Sequence, residues 1–242
     1  MLPVDLHVHS LFSNCGLHTI LELLSQAKLL GLEAIAITDH GKTLGGRLNE
    51  VFFKRFICPY DEVRLYKGIE CNILNEQGEI DIIKSLLPFI DIVLLGIHPN
   101  TPRGNSEEYY TSLLISAMQK NPCIDIITHP NDTAYPVDYA VLAREAKLRG
   151  IALELNNSRI RYNKSNVEDT CNFLNACKSE GCSVAVCSDT HAIHELGGDE
   201  SVAPLLEKTC FPSELIVTRS ASQTLQFIEN RLVNKKDQLK IL

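Results

Sequence analysis

The sequence predicts an α/β protein: a distorted (β/α)7 barrel of the TIM type that forms a single domain over residues 1–242. Short apolar runs and amphipathic stretches alternate along the chain, which is typical of parallel βα units. The apolar runs mostly lack alternating polar residues, so both faces of the strands are expected to be buried. The length suits one barrel, and no linker divides the chain. An open doubly wound sheet is the alternative fold, and it also places active sites at the carboxyl ends of strands.

Seven strands are predicted. They cover residues 3–10, 34–38, 65–72, 91–97, 124–128, 151–155 and 184–187. On the first strand, residues two apart share a face, so His7 and His9 project together while Leu6 and Val8 point the other way into apolar packing. Two imidazoles on one face form half of a transition-metal site.

The intervening segments predict helices and loops. A capping box at Thr19 and Glu22 begins the first helix, which ends at Gly31. Further helices are expected over 107–120, 138–149, 166–180, 200–208 and 222–233. Residues 41–62 are interpreted as a long loop with a helical piece, 75–78 as the turn of a small hairpin, and 215–217 as a short apolar run.

Metal-binding residue types recur at the ends of the predicted strands. Six of the eight histidines lie there. The set is His7, His9, His40, Glu70, His98, His129, Asp189 and His191, and the sixth strand offers Asn156 and Asn157. A single histidine is more often a hydrogen-bonded structural residue. The joint pattern favours metal ions, and imidazoles with carboxylates suit zinc, manganese or iron better than calcium. These ligands are too many for one tetrahedral ion, so two or three ions are expected.

Composition limits the possible partners. The formal charge is -7, with 23 basic and 30 acidic residues, which disfavours long nucleic acids because phosphate contacts require basic surfaces. No apolar window is long enough for a membrane span. Asp5, His7 and His9 interrupt the first apolar run, so no secretory signal is predicted. The nine cysteines are therefore expected to be reduced thiols of a cytoplasmic protein.

The motifs DLHVHS, AITDHG, GIECN, GIHP, ITHP, ELNNS and SDTH together resemble those of the PHP (polymerase and histidinol phosphatase) family, above all its small stand-alone phosphatases of the YcdX type. The resemblance runs from Pro3 to the final helix. It implies a (β/α)7 barrel, a trinuclear metal site and phosphoesterase activity.

The resemblance also implies a division of the ligands among three ions. One ion would be held by His7, His9, Glu70 and Asp189, and Glu70 would bridge to a second ion held by His98 and His129. The third ion would use His40, His191 and a residue from the loop after the first strand. At that loop position the relatives have a histidine, whereas this chain has Cys15 in ungapped register and His18 three residues later. A Cys15 thiolate would favour softer metals. A buried thiol and a surface histidine are the alternatives.

The expected activity is hydrolysis of small phosphomonoesters. Metal ions lower the pKa of water towards about 7, which supplies hydroxide for attack on phosphorus. Glu70 and Asp189 are the predicted catalytic carboxylates, with Asp189 a possible proton acceptor. Asp5 and Asp39 either orient ligand imidazoles or cap strand ends. Candidate phosphate clamps, each otherwise a solvated charge, are Arg47, Arg103, Arg159, Arg161 and Lys164.

Two other functions stay open. One is a phosphodiesterase or nuclease that acts on short nucleotides, and the other is a metal-binding regulatory module without turnover. The chain has no P-loop, no GxGxxG sequence and no G-x-S-x-G elbow. The expected partner is a small phosphorylated substrate, and the oligomeric state is open.

Overall fold

The computed structural model describes residues 1–240, and the side chains of residues 1–232. Seven strands form one parallel sheet in chain order. They are β1 (Val4–Val8), β2 (Ala34–Ile37), β3 (Arg64–Asn72), β4 (Ile92–Gly96), β5 (Ile126–Ile127), β6 (Ala152–Asn156) and β7 (Val184–Cys187). All seven predicted strands are present, although β5 has only two residues in the ladder.

The sheet curves into a nearly closed barrel. The segment after β7 reaches β1, where the His9 N–H donates to the Thr190 carbonyl at 2.9 Å and the Thr190 N–H donates to the His7 carbonyl at 3.2 Å. A doubly wound sheet would reverse its strand order at an inner strand, whereas here the order follows the chain from first to last. The predicted barrel is confirmed, and the doubly wound alternative is wrong.

Helices connect the strands on the outside of the barrel. They are α1 (Ile20–Leu30), α2 (Glu50–Arg55), α3 (Glu107–Lys120), α4 (Tyr139–Leu148), α5 (Asn157–Arg161), α6 (Val167–Glu180), α7 (Ala203–Lys208) and α8 (Ala221–Lys240). The predicted capping box at Thr19 and Glu22 is present, and Gly31 ends α1 with a φ of 74°. The polar run after β6, predicted as a loop, is the short helix α5. The last helix extends beyond its predicted end at residue 233.

The strands separate two apolar layers. Their outward side chains pack with the helices in a large core. The inward side chains form a smaller cluster, which includes several alanines because opposing strands approach closely inside a narrow barrel. The inner cluster consists of Val4, Leu6, Ala34, Ala36, Tyr66, Ile92, Leu94, Ile126, Ala152, Ala185, Cys187 and Ile228. Ile228 belongs to α8, so that helix closes the amino-terminal end of the barrel.

The side-chain alternation predicted for β1 is partly wrong. The pairing of β1 with β2 shifts register between Asp5 and Val8. Leu6 therefore joins the inner cluster, whereas Val8 packs in the outer core. An extra residue in a ladder breaks the two-residue period, so Leu6 and Val8 do not share a face. Among residues 1–240, no helix combines the length and the apolar character needed to cross a membrane.

Arg231 attaches α8 to the amino-terminal end of the barrel. Its side chain is 4% exposed, and its Nε donates to Asp125 Oδ1 at 3.2 Å. The remaining guanidinium nitrogens donate to the carbonyls of Pro122, Ile124 and Arg149. These carbonyls precede β5 and β6, so one side chain ties the last helix to the start of two strands.

We expect Arg231→Leu to lower the free energy of unfolding by about 3–5 kcal/mol, because the variant loses a buried ion pair with Asp125 and the bonds to three carbonyls. Urea denaturation followed by circular dichroism measures this change. Arg219→Leu is the matched control, since Arg219 is exposed, and it should cost less than about 0.5 kcal/mol. Equal losses in the two variants would contradict the assigned role of Arg231.

Candidate metal centre

The carboxyl ends of the strands bring six histidines and two acids into one cluster. His7 and His9 end β1, Glu70 lies on β3, and Asp189 follows β7. His98 and His129 follow β4 and β5, while His40 and His191 lie nearer the rim. All are buried except His40 and His191, which are partly exposed. The cluster forms because all the strands are parallel, so their carboxyl ends lie at the same end of the barrel. The ligand side chains at these ends point into the barrel interior.

Four of these side chains form a compact group. His7 Nε2 lies 3.0 Å from His9 Nε2, 3.3 Å from Glu70 Oε2 and 3.5 Å from Asp189 Oδ1. His9 Nε2 lies 3.5 Å from Glu70 Oε2 and 3.4 Å from Asp189 Oδ1. Ligands placed tetrahedrally about 2.0–2.1 Å from an ion are about 3.3–3.4 Å apart. These five separations are close to those around one tetrahedral cation, and single ligand atoms of His7, His9 and Asp189 all lie within 4.8 Å of one another.

The other oxygen of Glu70 faces a second pair of histidines. Glu70 Oε1 lies 3.3 Å from His98 Nε2 and 3.3 Å from His129 Nε2, and it accepts a hydrogen bond from Thr128 Oγ1 at 2.8 Å. His98 Nδ1 lies 3.0 Å from Asn72 Oδ1, which fixes the ring orientation. A side chain at Gly96 would strike this ring, since a Cβ there would lie 2.4 Å from His98 Cε1. One carboxylate thus serves two groups of imidazoles.

A third group lies at the mouth of the barrel. Single ligand atoms of His9, Cys15 and His40 lie within 4.8 Å of one another, and Cys15 lines the same cavity as His191. His40 Nδ1 is 2.9 Å from Glu70 Oε2. His18 lies just before α1, where its carbonyl accepts the Leu11 N–H at 2.8 Å. Cys15, not His18, therefore faces the ring.

The acids of the cluster are ionised. Burial alone would raise the pKa of Glu70, but the positive charge of His7, His98 and His40 outweighs it and holds that pKa well below its usual value. Burial opposes ionisation of Asp189 as well, and His7 and His9 hold its pKa low. The histidines respond in turn: burial would lower the pKa of His7, yet Glu154, Glu70 and Asp189 raise it well above normal.

Neighbouring histidines of the cluster differ in pKa and therefore in charge. Burial and the nearby His40 lower the pKa of His9 to about 3, whereas Glu70 and Cys15 overcome burial and raise the pKa of His40 to about 10. Cys15 and Asp189 likewise raise the pKa of His191 to about 9 against the effect of burial. In the metal-free protein, protons therefore occupy several of the nitrogens that a cation would use, so metal binding releases protons.

Several buried polar atoms in the cluster lack hydrogen-bond partners. They include His40 Nδ1, His98 Nε2 and Glu70 Oε2; His40 Nδ1 and Glu70 Oε2 lie 2.9 Å apart without the alignment of a hydrogen bond. Buried polar groups in folded proteins are nearly always satisfied, and all three atoms belong to the ring of carboxyl-end residues. Imidazole nitrogens and carboxylate oxygens at this spacing are the donors that zinc and related ions prefer. The residues present fit a group of divalent cations.

Sequence reasoning missed Glu154, which is fully buried on β6. Its Oε1 lies 2.7 Å from His7 Nδ1, and its Oε2 accepts the His129 N–H at 2.7 Å. The available signal was an acidic residue in an otherwise apolar strand, two positions before Asn156. Period-two alternation places it on the inner face, beside the other predicted ligands.

Asp39 and Asp5 were predicted either to orient ligand imidazoles or to cap strand ends. Both mainly accept hydrogen bonds from neighbouring loop residues. Asp39 accepts hydrogen bonds from Ser10 and from Ser13 Oγ, and Ser13 Oγ in turn lies 3.1 Å from His9 Nδ1. Asp39 thus reaches an imidazole through a hydroxyl. Asp5 accepts from the backbone N–H groups of Ser188 and Gly197, which is the strand-end capping alternative.

A cavity of about 820 Å³ opens above the cluster. Its walls include His40, Glu70, His98, Asp189 and His191 together with Cys15, Asp132, Tyr135, Arg159, Tyr162 and Lys164. Among the five predicted phosphate clamps, Arg159 and Lys164 line this cavity. Arg47 lines a separate apolar groove, Arg161 pairs with Glu200 at 3.1 Å, and Arg103 is exposed and absent from the cavity wall.

Arg159 is held against the acids of the centre. Its Nη1 donates to Asp132 Oδ2 at 3.0 Å, and its Nε lies 3.8 Å from Asp189 Oδ2. The Nε atom is buried without a hydrogen-bond partner. A guanidinium that is fixed in this way and lines the cavity can receive an anionic oxygen.

Comparison with known proteins identifies the family. The PHP domain matches residues 5–195. The chain belongs to the PHP family. A "Probable phosphatase" of Shewanella sp. strain ANA-3 is 34% identical over 233 residues, which cover 95% of this chain and 92% of that protein. A "Probable phosphatase" of Citrobacter koseri is 34% identical over 235 residues and covers 96% of each chain. The resemblance of the motifs to the PHP family is confirmed.

Solved structures share the barrel of this PHP protein. Histidinol phosphate phosphatase from Lactococcus lactis, solved with zinc, L-histidinol and phosphate, has a TM-score of 0.61 and 18% identity, over 86% of this chain and 94% of that one. A probable 2-pyrone-4,6-dicarboxylic acid hydrolase from Acinetobacter baumannii has a TM-score of 0.58 and 13% identity, over 95% of this chain and all of that one, 100%. At these identities the likeness concerns the fold.

We expect Cys15 of the metal-free protein to react with iodoacetamide through a pH midpoint of about 7. Burial would raise its pKa, but His191 and His40 stabilise the reactive thiolate, so labelling rises as pH passes upward through that value. Peptide mass spectrometry over a pH series measures it, with the exposed Cys210 as internal reference. A midpoint near the ordinary value of about 8.5, or one unmoved by His191→Ala, would contradict the assignment.

Proposed function

We propose that the protein is a metal-dependent phosphatase that hydrolyses phosphomonoesters of small molecules at a centre of three divalent ions, with zinc preferred over manganese or iron. Membership of the PHP family and the relatives named "Probable phosphatase" make it a metal-dependent phosphoesterase. The observation that carries the finer proposal is Glu70, whose two oxygens face separate groups of imidazoles.

The proposed ligands follow the three groups of side chains. The first ion is assigned to His7, His9, Glu70 and Asp189, and the second to Glu70, His98 and His129. The third is assigned to Cys15, His40 and His191. Cys15 is preferred to His18 because its thiol lies within 4.8 Å of ligand atoms of His9 and His40 and lines the same cavity as His191. A thiolate favours zinc over harder ions at this position.

The metal ions, when bound, supply a nucleophile at neutral pH and neutralise charge on the phosphoryl oxygens. The residues of the chain fix the positions of the proposed ligands and supply the negative charge that the cations require. Glu70 is ionised and keeps two histidine groups at a fixed separation. Asp189 directs Oδ1 towards His7 and His9, while its Oδ2 accepts from Asn156 at 3.1 Å. Asp189 is thereby the carboxylate proposed to receive a proton beside the cavity.

Arg159 and Lys164 are the proposed contacts for the phosphoryl oxygens. Both line the cavity above the cluster, and the guanidinium of Arg159 is held in place there by its bond to Asp132. A cavity of about 820 Å³ is within the usual range for small-molecule sites. The acidic charge of the chain, -7, supports a small substrate over a long nucleic acid.

We expect an aryl phosphomonoester to be hydrolysed at least about 100-fold faster than its diester analogue, and chelation to remove that activity. Readdition of Zn²⁺ or Mn²⁺ should restore it. Elemental analysis confirms that stripping is complete. Faster diester hydrolysis would favour the phosphodiesterase alternative, and absence of turnover with metal bound would favour the regulatory module. Full activity without metal would refute the proposed role of the metal ions.

Two arginines of α5 (Asn157–Arg161) give a matched test of substrate binding. Arg159→Met should raise KM for the phosphomonoester about 10- to 100-fold, because a charge-assisted contact to a phosphoryl oxygen is lost. Arg161→Met should leave KM unchanged, since Arg161 pairs with Glu200 away from the cavity. Steady-state kinetics with metal content held equal measures both. Equal KM values in the two variants would exclude Arg159 as the phosphate contact.

A further inference from the structure

We propose that Glu154 is a positioning residue that couples the first and second metal subsites. It is fully buried on β6 and contacts neither Glu70 nor the cavity wall among the described contacts. One of its oxygens instead contacts the ring of the ligand His7, and the other accepts from the backbone N–H of the ligand His129. The inference rests on the proposed metal binding and adds a residue that makes the subsites depend on one another.

The contact with His7 selects the form of its ring. His7 Nε2 points into the first group, 3.0 Å from His9 Nε2 and 3.3 Å from Glu70 Oε2. A ring that offers a lone pair at Nε2 must carry its proton on Nδ1. Glu154 Oε1 lies 2.7 Å from that Nδ1 and accepts the proton in a hydrogen bond. Glu154 thus holds His7 in the tautomer that a metal ligand requires.

The contact with His129 holds an unfavourable backbone. His129 has a φ of 35°, in the left-handed region that residues with a Cβ rarely adopt. Its N–H donates to Glu154 Oε2 at 2.7 Å. This conformation sets the ring beside Glu70 Oε1, at 3.3 Å. Without the acceptor, the turn is free to relax and to carry the His129 ring out of the second group.

Only a carboxylate fits the position. Besides the His7 ring and the His129 N–H, Asn156 Nδ2 donates to Glu154 Oε2 at 3.0 Å, so three donors converge on this side chain. A carboxylate accepts them all, whereas a glutamine has one acceptor oxygen and turns an N–H₂ group towards a donor. Asn156 Nδ2 also lies 3.1 Å from Asp189 Oδ2, so the network extends to a third proposed ligand.

The test compares zinc binding by the full-length wild type, Glu154→Met and Asp125→Leu. Asp125 is also a buried carboxylate, but it lies at the opposite end of the barrel and pairs with Arg231. Competition with a chromophoric chelator gives stepwise affinities, and circular dichroism confirms folding. Glu154→Met has no acceptor oxygen and should weaken two binding steps by about 10- to 100-fold each, while Asp125→Leu should match the wild type.

Wild-type affinity at every step in Glu154→Met, or a loss confined to one step, would overturn the coupling. A measurement on the wild type remains decisive if the variant does not fold. Nitrogen-15 NMR of the zinc-loaded wild type should show His7 protonated at Nδ1, and protonation at Nε2 would overturn the proposal. Failure of the wild type to bind zinc would instead refute the proposed metal centre, so the two failures are distinguishable.

Discussion

Glu70 is 1% exposed and lies between groups of imidazoles, and a carboxylate in that position is stable only while positive charge surrounds it. Its pKa is held low by His7, His98 and His40 against the effect of burial. The same carboxylate would share two cations in the loaded protein, so protons and metal ions are alternative ways to balance its charge. The histidines therefore lie close enough to Glu70 to balance its negative charge.

The barrel separates this polar end from an apolar one. Its lower interior holds alanines and branched aliphatic side chains, and α8 closes it with Ile228 and Arg231. The upper interior holds Glu70, Glu154 and the histidines. Because the lower layers are apolar, they place no countercharge below the upper acids. Their charges are therefore balanced laterally, by the residues at neighbouring strand ends.

Much of the fold and of the cluster could be predicted from sequence because parallel strands obey simple geometry. A histidine directly after an apolar run, as at His98 and His129, marks a strand end. Glu154 was not predicted, since it lies within a strand and contacts a ligand, not an ion. The outward turn of Val8 was also missed, because a register shift has no composition signal. Which rim arginine faces the cavity depends on the path of α5, and local sequence does not determine that path.

The central claim is that three cations occupy the ring in the assigned groups. Anomalous scattering at the zinc edge from crystals of the zinc-loaded protein tests it most directly. The account predicts three peaks. One lies among His7, His9, Glu70 and Asp189, one beside His98 and His129, and one contacts Cys15 Sγ, His40 and His191. A single peak, or a third peak bound by His18 in place of Cys15, would contradict it.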